Sequence, residues 1–468
     1  MAAILTDRFR IVLAENFRSR LIIGENSALN AAGVPPVELW LFFAKSEQWN
    51  GTPDAPVDNQ EASFNIYDQI IGLKRISSAD VRGVIRNNRW QSGEKYDIYR
   101  DDYGKVIPDE ENPNLNNFVQ GLKFENHLYE TNFYVVTSEY KVYKCLNNNY
   151  NGPSTIEPSS TSSAPFTLAD GYVWKYMYSI NANDFEKFKS DEYVPVPEAT
   201  SIDPNNVLPA SSNFGGSIYN VIIDAPGTGY QAGDEFDIIG DGQNGKVRVL
   251  STNVDGGILT IKVTNPGSGY TYAQINPQTQ GLTAILNPII SPKEGIGQII
   301  NLELGSYRLA LHAKLEKNDF IFGNDFSVVG ILYNPTITAN GDKAIGTKQM
   351  ILSGPLSDSP EEYNDKQIIS SSGASGRIVH YEGTTNTIYF TQENIFGYGI
   401  NSSGVRLEFQ PGDVVTIESE QATISTGTTS VKQSELIRGS GEIIYIDNRN
   451  TISRAEDQTE DFKIIIEF

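Results

Sequence analysis

Two stretches carry the residue types of a phosphate-cradling loop. Pro226-Gly227-Thr228-Gly229-Tyr230 and Pro266-Gly267-Ser268-Gly269-Tyr270 repeat the pattern P-G-[ST]-G-Y forty residues apart, each after a run of branched apolar residues. A nucleotide loop needs a lysine to reach the phosphates and a helix whose first N–H groups point at them. Neither stretch is followed by a lysine or by a helix-forming run. The dinucleotide fingerprint fails too, because Ala232 and Tyr272–Ala273 stand where its tail would run. What is left is turn chemistry: proline presets φ, glycine accepts positive φ, and tyrosine packs back over a sheet.

Other reactive groups lead no further. The run G-D-G-Q-N-G at 240–245 offers oxygen donors between glycines, yet it lacks the alternating acids and closing glutamate of a calcium loop. It reads as an Asp-Gly hairpin turn. The single cysteine, Cys145, excludes internal disulfides and a cysteine metal cage; in its strand-like surroundings it reads as a buried, inert thiol. His127, His312 and His380 are far apart in sequence, and none has a second histidine at metal-ligand spacing. Acidic residues are so common that a carboxylate pair for glycoside hydrolysis carries no signal. No nucleophile elbow, kinase loop or zincin helix is present. The chain therefore reads as a non-enzyme, with no catalytic, cofactor-binding or metal residue to assign.

The elements around these loops are those of a β-rich protein. Short runs of Val, Ile, Tyr and Phe end in Gly, Pro, Asn or Asp, as at 37–44, 132–146, 171–180 and 441–449. Helical periodicity is confined to 4–18, 61–75 and 181–190, the last opening after Asn181 or Asn183. Polar stretches without periodicity mark loops at 100–120 and 147–168. At 468 residues the chain has room for about three domains. No apolar run is long enough to cross a bilayer and no signal peptide is visible, so a soluble, cytosolically made protein is expected. With 58 acidic against 36 basic residues the net charge is −22, which disfavours nucleic acid and anionic membranes as partners. Arg86, Arg89 and Trp90, followed by Tyr96 and Tyr99, have the composition of an interface hot spot, although Trp90 suits a core equally well.

The two ends of the chain resemble a known family. "LWLFFAKSEQWN" (39–50), "VIRNNRWQSGEKYDIY" (84–99), "VYKCLNNN" (142–149) and "IEPSSTSSAPFTLADGYVWKYMYSI" (156–180) carry the likeness. The most specific segment is "SELIRGSGEIIYIDNRNTISRAEDQTEDFKIIIEF" (434–468). Together they are similar to baseplate wedge subunits, wedge protein eight, of T-even-type contractile-tailed bacteriophages. The likeness runs over roughly 1–200, 300–350 and 434–468 and leaves out 205–290 and 365–430.

That resemblance implies a structural virion protein of the tail baseplate. It would be made and assembled in the bacterial cytoplasm, form a homodimer and contact other wedge proteins, with no cofactor, no nucleic acid and no membrane insertion. The expected fold is mainly β: a layered β-sandwich core with a few helices in loops and two inserted small β modules. The core would comprise 1–204, 296–364 and 433–468, with a tandem P-G-x-G-Y module at 205–295 and a second small β domain at 365–432. The residues expected at contacts are Arg86, Arg89, Trp90, Glu442, Tyr445 and Arg449, with the loop 147–168. The rival reading is a carbohydrate-binding adhesin or tailspike-like protein, with Tyr230, Tyr270 and Tyr272 stacking on sugars.

Overall fold

The computed structural model describes residues 5–25, 37–103, 128–197, 215–277, 283–292, 295–316, 319–320, 325–392, 397–453 and 458–468. His127 and residues 104–120 of the expected loop at 100–120 lie outside them. The chain is mainly β, built from several antiparallel sheets with four helices among the described residues. It divides into two compact units, one of Met1–Phe17, Arg82–Ala310 and Ile465–Phe468, the other of Arg18–Val81 and Leu311–Ile464. Strands are numbered along the chain.

In the first unit, β4 (Tyr134–Val136), β5 (Lys141–Asn148), β7 (Tyr172–Ser179) and β6 (Phe166–Thr167) form one sheet in that order. Successive residues of β5 feed two cores, which is why its sequence is apolar on both faces. Tyr143 and Cys145 join Tyr172 and Trp174 on one side; Val142 joins Phe133, Tyr134 and Tyr178 on the other. Cys145 is fully buried, and burial pushes its thiol well above the ordinary range, which agrees with an inert role. Beside this sheet, β3 (Val81–Arg86) pairs with β8 (Tyr193–Pro195) through Val84–Arg86. A helix, Ala182–Phe188, is capped by Asn181, whose side chain accepts the Asp184 N–H.

The second layer of β5 contains a charged residue, Lys144, with no exposed surface. Its Nζ lies 2.9 Å from Glu303 Oε2 and 3.7 Å from the centre of the Tyr99 ring. Glu303 ends a short helix, Ile300–Glu303, and its other oxygen accepts the N–H groups of Gly297 and Gln298. Both carboxylate oxygens are thus engaged, and the result is a structural ion pair with its hydrogen bonds completed.

The P-G-x-G-Y repeats belong to one small barrel. The sheet β12 (Ile258–Ser268), β11 (Gln243–Thr252), β10 (Glu235–Gly240), β13 (Ala273–Ile275) and the pair β14 (Ile285–Ile290) with β9 (Ile218–Ala225) enclose a common core. β12 lies against β9 and β13 against β14, which closes the ring. The N–H groups of Gly229 and Tyr230 donate to the carbonyls of Asp255 and Gly256, at 3.0 and 2.8 Å. Those of Gly269 and Tyr270 donate to the carbonyls of Gly215 and Gly216, at 3.2 and 3.0 Å. Each turn is thus closed by backbone that opens the other half. Gly256 has φ +75°, and a Cβ there would sit 2.5 Å from the Gly229 nitrogen, so only glycine fits.

The halves are interlocked and share one core, because a strand pair alone cannot bury an apolar face. This packing corrects the sugar platform of the rival reading. Tyr230 and Tyr270 are 2% and 0% exposed and fill the barrel, leaving Tyr272 outside at 61%.

In the second unit, β1 (Leu39–Ala44) lies at the centre of a sheet ordered β17 (Lys343–Ile345), β2 (Ile70–Ile76), β1, β16 (Phe326–Tyr333), β25 (Glu442–Ile452). All six residues of β1 are buried. The helix expected over 61–75 is shorter: it runs Gln60–Gln69, and the chain enters β2 at Ile70. Ile70, Ile71 and Leu73 are buried on both faces of that strand, and β-branched residues fit a pleated sheet better than a helix. The helix expected over 4–18 extends instead over Asp7–Glu25. A further sheet takes the order β23 (Glu420–Thr423), β22 (Val414–Ile417), β19 (Gln367–Ser370), β20 (Ser375–Glu382), β21 (Thr387–Thr391), β18 (Lys348–Ile351), β24 (Val431–Lys432). Ile368, Ile378, Phe390 and Phe409 pack at its centre.

Ion pairs fix this sheet to the rest of the unit. Asp68 holds Arg406 at 2.9 Å and Arg438 at 2.6 Å, and Glu47 holds Arg377 at 3.2 Å. Elsewhere, Asp319 lies 2.6 Å from both Lys74 and Lys343. Burial alone would raise its carboxyl, but the Glu316 N–H and the two ammonium groups outweigh that and hold it at about 2. A carboxyl depressed in the folded state contributes stability above its unfolded value, near about 3.9, and loses it as pH falls towards about 2. Thermal unfolding between about pH 5 and 2 should therefore fall less steeply for Asp319→Asn than for the parent chain. Identical slopes would remove Asp319 from the acid response.

Candidate interface

The expected contact residues fall in two groups. Arg86, Arg89 and Trp90 lie at and just beyond the end of β3 in the first unit, and Glu442, Tyr445 and Arg449 lie on β25 in the second. In the first group Arg86 is exposed, whereas its neighbours turn inward. The Arg89 guanidinium donates to the Thr137 carbonyl at 2.9 Å and lies 4.3 Å from the centre of the Tyr140 ring. Trp90 donates its Nε1–H to Ser154 Oγ at 3.0 Å and packs against the Tyr143 and Trp174 cluster.

Ser154 belongs to the loop 147–168, whose first half is pinned. Its N–H donates to the Glu94 carbonyl, and Asp170 Oδ2 accepts the N–H groups of Thr155 and Ile156. The Tyr172 hydroxyl donates to the Gly152 carbonyl at 2.7 Å. Residues 159–164 are exposed. Trp90 thus holds the loop to its sheet, Arg89 is tied to the turn between β4 and β5, and Arg86 and the loop's second half are exposed.

The second group sits on a sheet edge. β25 ends the order of its sheet, so its outer side has no strand partner among the described residues. Alternate side chains are exposed at its start, with Glu442 outward and Ile444 at 41%. Asp447 Oδ2 accepts from Arg449 Nε at 2.5 Å and from the Tyr445 hydroxyl at 3.3 Å. Burial, with the Asp447 carboxylate beside it, pushes the Tyr445 hydroxyl up. The Trp49 indole donates to the Arg449 carbonyl at 3.0 Å and covers that end of the edge.

Tyr445, Asp447 and Arg449 also line a cleft of about 330 Å³ against residues of β26 (Glu460–Glu467). Buried Val329, Phe462 and Ile464 supply its apolar part, and Lys463 lines it from β26. Sequence reasoning missed the β26 wall. The alternation in "EDFKIIIEF" was its signal, since Phe462 and Ile464 are buried while Asp461 and Lys463 are exposed.

This arrangement offers polar and apolar groups that can bind a partner. No group of three or more His, Cys, Asp or Glu among the described residues could hold a metal ion. No helix among them is long and apolar enough to cross a membrane. No curated protein sequence matches the chain significantly. A family match does exist, and it runs through the whole block 365–430 that the sequence resemblance leaves out. Residues 363–468, with β25 and β26 inside them, match the family of bacteriophage T4 Gp8, a baseplate wedge protein, and in this C-terminal part the chain is similar to a baseplate wedge subunit.

Proposed function

We propose that the chain is a structural subunit of a phage tail baseplate wedge that forms a homodimer and binds the other wedge proteins. In that role it helps to build the assembly whose rearrangement triggers sheath contraction. The observation that carries the reading is the family match over 363–468, which includes the open edge of β25. An eleven-residue edge strand is a template for pairing with another chain, and natural proteins leave one open where it is used. Glu442, Tyr445 and Arg449, with the cleft behind them, form the contact surface; Arg86 and residues 159–164 form a second one. The protein acts by assembly and not by catalysis, in the virion baseplate, after synthesis in the host cytoplasm.

The test is the mass of the purified chain in solution, alone and after mixing with the other wedge proteins. A dimer that enters a larger complex is expected. Ile444→Lys places a charge on the edge and should weaken entry into that complex about tenfold while leaving the thermal midpoint unchanged. A strict monomer that joins no wedge complex would sink the reading.

A further inference from the structure

The loop Asn147-Asn148-Asn149-Tyr150-Asn151-Gly152 is both strained and over-determined. Asn149, Tyr150 and Asn151 all adopt left-handed backbone, with φ of 49°, 54° and 62°. Asparagine tolerates that region; a tyrosine there costs free energy and persists only where its surroundings enforce it. They do. Asn147 Oδ1 accepts the Asn149 N–H at 2.9 Å, and Asn148 Oδ1 accepts the Asn151 N–H at 3.1 Å. Asn148 Nδ2 donates to the Tyr96 carbonyl and Asn149 Nδ2 to the Asp170 carbonyl.

This framework presents one group, the Tyr150 side chain, which is 51% exposed. Its hydroxyl accepts the N–H of Ile261 at 2.9 Å and faces the carbonyl of the same residue at 3.5 Å. Ile261 lies on β12, next to the point where the ladder with β11 slips between Val249 and Ser251. The phenol thus meets both backbone polar groups of one strand residue beside a bulge, and it does so from outside the barrel. Apolar burial does not explain a half-exposed tyrosine in a disfavoured conformation; the hydroxyl does.

The barrel has a different attachment at its root. Ile222 of β9 and Ile289 of β14 pack into the cluster of Phe133, Tyr134 and Val142, and Asn147 Nδ2 donates to Asn220 Oδ1 at 2.9 Å. Among the described residues one side is therefore held by apolar packing, and the neighbouring strand is hydrogen-bonded by the Tyr150 hydroxyl. We infer that Tyr150 is a releasable latch that sets the angle of the barrel, which hinges on its β9–β14 root when the hydroxyl lets go. The inference rests on the first unit alone and stands apart from the baseplate reading.

Tyr150→Phe removes only the hydroxyl. Amide exchange of Ile261 in the full chain should then quicken about tenfold, with the Gly229 and Tyr230 amides unchanged. Asn151→Gly keeps the hydroxyl and every hydrogen bond of the framework, since Asn151 enters it through its N–H, so it should leave Ile261 within about twofold of the parent. Spin labels at Thr161→Cys and Val254→Cys, both exposed positions, should show a broader distance distribution in the Tyr150→Phe background. Unchanged Ile261 exchange in Tyr150→Phe, or equal acceleration in Asn151→Gly, would overturn the latch. An unchanged distance distribution would overturn the hinge.

Discussion

Replacing Lys144 with methionine is expected to destabilise the first unit by about 3–5 kcal/mol, the usual cost of stripping one partner from a buried ion pair. Lys144 and Glu303 are 0% and 2% exposed at their side chains, so neither charge can turn to water. Methionine fills most of the lysine volume, and the loss is therefore electrostatic. It leaves the Glu303 carboxylate with two backbone donors and without its ion-pair partner, Lys175 being the other positive charge that acts on it. A second substitution separates charge from packing. Glu303→Gln, added to Lys144→Met, keeps an oxygen for Gly297 and Gln298 but carries no charge, and should recover most of the loss. Urea unfolding followed through amide exchange of β5 reads both variants. A double variant as unstable as Lys144→Met would show that volume, not charge, sets the cost.

Much of this fold was legible in the sequence where local pattern and tertiary demand agree. "LWLFFA" is apolar on both faces because β1 is a central strand, and Asn181 caps a helix because its side chain reaches the Asp184 N–H. Misreadings arose where the demand is long-range. Residues 70–75 continue the helical spacing of the segment before them, yet two sheet neighbours claim them as a strand. The P-G-x-G-Y repeat announced turns correctly, but nothing in it says that Gly256 and Gly216 of the opposite halves close them. Exposure decided the tyrosines, and the motif is the same whether the ring points into a barrel or out to a ligand. The candidate interface was half legible: "GEIIYIDNR" is strand-like, but its place at a sheet edge depends on which strand β16 takes as its other neighbour. The cleft needed β26 as a second wall, and no spacing in the sequence places those two strands together.

The two motif tyrosines give the second large effect, because one shared motif hides opposite chemistry. The Tyr270 hydroxyl accepts the Gly245 N–H at 3.0 Å and donates to the Ile238 carbonyl at 3.1 Å, both inside the barrel. Tyr270→Phe orphans a buried donor and a buried acceptor at once. At about 1–3 kcal/mol for each unsatisfied group, the expected cost is about 2–6 kcal/mol. The Tyr230 hydroxyl is also buried, yet it has no hydrogen-bond partner among the described residues. Tyr230→Phe removes an unsatisfied polar atom while keeping the ring against Phe236, 6.0 Å away centre to centre. It should be neutral or stabilise by up to about 1 kcal/mol. Urea midpoints for the two single variants, compared at one temperature, test the pair directly. Equal losses would mean that both hydroxyls carry hydrogen bonds and that the halves of the barrel are chemically as well as topologically alike. A loss confined to Tyr270 would mark the first copy's hydroxyl as a remnant of the repeat and the second copy's as the one that ties β10 to β11.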